Sequence, residues 1–98
     1  MQRVYLEMDK KYYNMKTINF TRFPLLDRDG NITEVDIAKD FFDIAFKNAT
    51  SRDDIIFNLS LKEDMDIELT DEAIAYFKKY LAMVDPKTYL YSFEKYVE

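Results

Sequence analysis

Residues 23–36 read FPLLDRDGNITEVD, and the fold turns on whether this stretch is a calcium loop or a turn between strands. A calcium loop of the EF-hand type needs oxygen ligands at its first, third, fifth and twelfth positions. It also needs glycine at the sixth and an aliphatic residue at the eighth. With Gly30 at the sixth, Asp27, Asp29, Ile32 and Asp36 fall on the third, fifth, eighth and twelfth. The first position is then Leu25, which has no side-chain oxygen. The twelfth is an aspartate, shorter than the glutamate that normally gives two ligands. The chain entering the loop should be a helix. Instead it reads KTINFTRFP, in which Ile18 and Phe20 alternate with Thr17, Asn19 and Thr21, a strand pattern. A turn explains every residue: Asp27 and Asp29 favour turns, and Gly30 supplies a positive φ. Pro24 ends the strand or sets it at an edge, and Ile32 lies in the return arm of a hairpin.

Outward from the hairpin, the pattern changes to helices. Thr33 and Asp36 resemble a capping box, which predicts a helix over about 34–49. Its apolar set of Val35, Ile37, Ala38, Phe41, Phe42, Ile44, Ala45 and Phe46 is the broadest in the chain and marks it as the central helix. Ser51 and Asp54 repeat the capping pattern and predict a helix over about 52–62, with Ile55, Ile56 and Leu59 turned inward and Phe57 a further candidate. Met65, Ile67 and Leu69 alternate, as in an extended connector. Thr70 caps a third helix, with Asp71 and Glu72 in the first turn where the dipole favours anions. Ile74, Phe77, Leu81 and Val84 form its stripe. Asp85-Pro86 reads as a cap with proline at the first helical position. The last helix, about 86–97, turns Tyr89, Leu90, Phe93, Tyr96 and Val97 inward. Residues 2–8, QRVYLEM, suggest another short strand. The expected architecture is α+β: a small N-terminal β-hairpin or three-stranded sheet packed on three to four helices. It forms a single domain over 1–98, with 1–33 mainly β and 34–98 mainly helical.

Composition narrows the chemistry. There are 98 residues, 48% of them hydrophobic, with one glycine and two prolines, enough to build a core of helices with short connections. Cysteine and histidine are absent, so no metal thiolate, disulfide, imidazole base or Ser-His pair exists. A lone glycine rules out a phosphate-binding glycine loop. Asp36, Asp40 and Asp43 share a helical face, but Lys39 and Lys47 interleave with them, as on a solvated surface. These features predict no enzyme, no catalytic residue, no cofactor and no bound metal. No apolar leader opens the chain and no stretch is long enough to span a bilayer, so a cytoplasmic location without membrane contact is expected.

The net charge of −5 divides unevenly. The first 24 residues carry five bases and two acids; the rest carries nine bases and seventeen acids. An acidic body repels phosphate, so nucleic acid is not an expected ligand. The run EDMDIELTDE, 63–72, holds six acids and no base. Glu63, Asp64 and Asp66 are therefore candidates for contact with a basic partner, or for mimicry of a nucleic-acid backbone. The eight tyrosines are the other candidate, because tyrosine joins a large ring to a polar tip at protein interfaces. Tyr76, Tyr80 and above all Tyr91, which points away from the apolar stripe of the last helix, are the expected partner-binding residues.

Over about residues 16–84, the strand, LLDRDGNI, the helix beginning DIAKDFFDIAFKNA, the short second helix and IELTDEAIAYFKKYL resemble the layout of small phage- and prophage-encoded proteins of low-GC bacteria. That resemblance implies a small accessory protein that acts by binding. The sequence reading is thus a non-enzymatic protein-binding module whose partner is a protein, itself included. The alternative is an inhibitor of a host defence or nucleic-acid enzyme, acting through an acidic, nucleic-acid-mimicking surface.

Overall fold

A computed structural model describes residues 16–98; the strand expected over 2–8 lies outside them. The described chain is a small α+β fold. In order it comprises strand β1 (Thr17–Ile18), a 3-10 turn (Phe20–Arg22), strands β2 (Phe23–Leu26) and β3 (Ile32–Val35) and helices α1 (Ala38–Lys47) and α2 (Arg52–Leu59). Strand β4 (Ile67–Glu68) and helices α3 (Asp71–Leu81) and α4 (Thr88–Val97) follow. Strands β2 and β3 form an antiparallel hairpin, and β1 pairs with the distant β4 in a second antiparallel ladder.

The hairpin loop is a turn held by one aspartate. Asp27 accepts the backbone N–H of both Asp29 and Asn31 on a single carboxylate oxygen, each at 2.9 Å. Gly30 takes φ +86°, which a side chain would strain. Pro24 lies within β2, opposite Glu34. A two-stranded sheet is all edge, so proline's missing N–H interrupts no inner ladder.

Two boundaries differ from the sequence pattern. The alternation over 16–23 is not one strand. Asn19 leaves it, accepts the N–H of Thr21 and starts the 3-10 turn, so Ile18, Asn19 and Phe20 are buried in succession. The helix expected from 34 begins four residues later. Thr33 and Val35 are held in the hairpin ladder, and Asp36 accepts only the N–H of Ala38. Cross-strand pairing outcompetes the capping box here.

The core is aromatic. Phe20, Phe23, Phe41, Phe77 and Phe93 are all buried. Phe20 stands 4.8 Å from Phe77 and 5.0 Å from Phe41 between ring centroids, spacings at which tilted rings attract. The central helix is α3 rather than α1. Ala73, Tyr76, Phe77, Tyr80 and Leu81 are buried on α3, whereas α1 buries only Ala38, Phe41 and Ala45. Phe42 and Ile44 are half-buried and Phe46 faces solvent. Helix α4 begins at Thr88 with no side-chain cap, so Asp85 does not cap it. It is fastened to the hairpin through Ser92, whose hydroxyl, fully enclosed, accepts the N–H of Leu26 at 2.9 Å. The Tyr96 hydroxyl donates to the carbonyl of Thr17 at 2.6 Å and ties the end of α4 to β1.

Candidate contact surface

Helix α2 is the exception to the burial pattern. Its N-terminus forms as the sequence suggests: Ser51 accepts the N–H of Asp54 at 3.1 Å, and Asp53 and Asp54 occupy the first turn. Its inward face, however, is not the aliphatic one. Asn58 is buried, Phe57 is half-buried and Asp54 lies against α3, while Ile55, Ile56 and Leu59 face solvent. Ile56 is 54% and Leu59 62% exposed, the reverse of the sequence expectation.

Polar anchors impose this rotation. Asn58 Nδ2 donates to the carbonyl of Phe42 at 3.0 Å and to the hydroxyl of Tyr76 at 2.9 Å. At the other end of α2, Asp54 Oδ2 accepts the Tyr80 hydroxyl at 2.6 Å and Lys79 Nζ at 3.0 Å. The Tyr80 hydroxyl in turn accepts the N–H of Thr50 at 3.1 Å. Tyr80, and after it Lys79, hold the Asp54 carboxyl below its ordinary pKa. The hydrogen bond to Asp54 raises Lys79. Burial raises the Tyr76 phenol, only partly offset by Asn58. Turning the aliphatic face inward would strand these buried hydroxyls and the amide, each at a cost of about 1–3 kcal/mol.

The outward ridge of Ile55, Ile56 and Leu59 separates two hollows. One, of about 510 Å³, lies between α1 and α2 with Phe42, Phe46, Leu59 and Leu61 as its apolar lining. Its rim mixes Lys39 and Lys62 with Asp43 and Glu63; Lys39 and Asp43 stand 3.6 Å apart. The other, of about 400 Å³, follows the seam of α2 and α3. Ile56, Phe57 and Tyr76 line it, with Asp53, Asp54 and Glu72 around them.

The residues chosen from sequence scatter over the molecule. Tyr76 and Tyr80 must be corrected: at 6% and 0% exposure they are core residues with engaged hydroxyls and offer no ring to a partner. Their i, i+4 spacing puts them on the face of α3 that α2 covers. Tyr91 is 53% exposed on α4, with Lys95 Nζ 5.8 Å from its ring centre. Glu63 joins the rim of the α1–α2 hollow. Asp64 and Asp66 instead close an internal fastening. Asn19 Nδ2, largely buried, donates to both carboxylates at 3.2 and 3.0 Å, and Arg22 Nη1 reaches Asp64 at 2.7 Å. Asp64 also sits at φ +53°, a left-handed conformation aspartate tolerates better than most residues, and its N–H donates to the hydroxyl of Thr21. Sequence periodicity missed Ile55, Ile56, Leu59 and Phe46 as surface residues. The one available signal was that polar and apolar residues alternate around the whole of α2, with Phe57 opposite Ile55, so no single face could bury every apolar side chain.

Comparison with family models, with curated proteins and with solved structures finds no match to this chain.

Proposed function

We propose that the protein is a non-enzymatic protein-binding module, and that the outer face of α2 with Phe46 is its main contact surface. One observation carries this reading. The hydrogen bonds of Asn58 and Asp54 hold Ile55, Ile56 and Leu59 in water, and Leu59 shares a hollow with exposed Phe46. Single exposed aliphatics are ordinary, but contiguous ones around a hollow mark contact sites. Tyr91 on α4 is a second, smaller contact. The resemblance of residues 16–84 to the layout of small phage- and prophage-encoded proteins implies the same class, a small accessory protein acting by binding. The acidic-mimic reading is second: Asp64 and Asp66 each tie one carboxylate oxygen to Asn19 or Arg22, while their side chains stay 66% and 69% exposed.

The test is capture from the native host with identification by mass spectrometry, alongside light scattering to detect self-association. The double variant Ile56→Asp/Leu59→Asp should lose the captured protein, or the self-associated form, while keeping its melting temperature. Unchanged capture by that variant, with loss on charge reversal at Glu63, Asp64 and Asp66, would replace this reading with the acidic one.

A further inference from the structure

The α2–α3 seam differs from the α1–α2 hollow in charge, and the difference specifies a ligand. The α1–α2 rim balances two bases against two acids. The seam is lined by three acids and no base: Asp53, Asp54 and Glu72. Lys79 is committed to Asp54. Asp53 and Glu72 have no cationic partner among the described residues. The two helices run in opposed directions, since Asp54 meets Tyr80 while Asn58 meets Tyr76. Asp53 therefore marks one end of the seam. Glu72 lies at the other end with Ser60, roughly 10 Å further along α2 by helical rise. Between the ends the floor is apolar: Phe57 packs on Tyr76 with ring centres 4.6 Å apart, and Ile56 forms the wall.

We propose that this seam docks an amphipathic basic segment of a partner protein, with an apolar side chain against Ile56 and Phe57 and cations flanking it toward Asp53 and Glu72. The proposal rests on α2 as the contact surface and adds the chemistry of what it contacts. An anionic segment would meet two carboxylates that no side-chain cation neutralises and be repelled. A neutral apolar segment would cover both without pairing them, at a desolvation cost. The floor is too apolar to select a free cation, and the ends too acidic to favour an acidic peptide. Opposite rim charges also speed encounter and make it salt-dependent.

The test uses the full chain and two short amidated peptides of the same leucine spacing, one with lysine and one with glutamate at the polar positions, followed by heteronuclear NMR. The Leu/Lys peptide should shift the amides of Asp53, Ile56, Ser60 and Glu72, weaken as salt rises, and bind about tenfold less tightly to Asp53→Lys/Glu72→Lys. The milder pair Asp53→Asn/Glu72→Gln should fall between wild type and the reversal, which guards against misfolding of the stronger variant. Equal binding of the Leu/Glu peptide, or Leu/Lys shifts confined to the α1–α2 hollow, would overturn the cationic assignment while leaving α2 as a contact surface. Shifts remote from α2 altogether would overturn both. A doubled mass in light scattering, abolished by Ile56→Asp without any peptide, would make a second copy the occupant and overturn the proposal.

Discussion

Helices α2 and α3 lie against each other and spend their side chains in opposite ways. Helix α3 buries five residues, three of them aromatic, and shows its lysines to water. Helix α2 sends an asparagine and an aspartate inward and leaves its aliphatics outside. One helix is core with polar handles on its tyrosines; the other reaches for those handles and is rotated by them. Hydrophobicity places a helix only when no buried polar group competes. An isoleucine side chain is worth about 1.5–3 kcal/mol when fully buried. A half-covered site on a small domain returns only part of that, and unpaired buried Tyr76, Tyr80 and Asn58 would cost about as much.

The contrast can be broken most forcefully from the α3 side. Phe77→Ala, at the centre of the ring cluster, should cost about 3–5 kcal/mol in denaturant unfolding. A cost below about 1 kcal/mol would mean that α3 is not the core helix.

A smaller effect is expected at the handles. Tyr80→Phe keeps the ring and strands the Thr50 N–H and one Asp54 interaction, so about 1–3 kcal/mol should be lost. The same bond carries a pH signature. Because the Asp54 pKa is lowered in the fold, its contribution is complete above the usual carboxylate value near 4 and is lost as the pH falls from there through its own lower value. Wild type should therefore lose more stability than Asp54→Asn over that acid range. Parallel acid curves for the two would remove Asp54 as a fastener.

On the outward face of α2 the stability effect should nearly vanish. Ile56→Asp/Leu59→Asp should change unfolding free energy by no more than about 0.5 kcal/mol per site, while abolishing partner capture. A loss of several kcal/mol would show that the aliphatics are packed and that the contrast between the helices is false. Tyr91→Ala should be the mildest change of all, silent in thermal melts and visible only as weakened capture.

Much of this contrast was legible in residues 67–81. Thr70, Asp71 and Glu72 start α3 where capping rules place it, and Phe77 and Leu81 are buried as their spacing requires. The loop around Gly30 was equally readable, because a left-handed glycine and an aspartate facing two N–H groups are local chemistry. The contact surface was not readable. Ile55, Ile56 and Leu59 carry the same helical spacing as a buried stripe, and periodicity cannot tell the two apart. Tyr76 and Tyr80 were misplaced for the complementary reason: a tyrosine serves at a surface or inside, and only a partner for its hydroxyl decides.

The sequence alone determined the α+β class, the order of hairpin and helices, the caps at Ser51 and Thr70, and the lack of cysteine and histidine chemistry. All of these depend on composition or on residues within a few positions of one another. Tertiary structure decided which helix is central, that Asn19 and Arg22 hold Asp64 and Asp66, and that α2 turns its aliphatics outward. The first rests on aromatic packing around Phe77, and the other two on hydrogen bonds between groups 16 to 47 residues apart. Such bonds exist only once the chain has folded, and the cost of leaving a buried polar group unpaired lets them outweigh a helix's own preference for burying its apolar side.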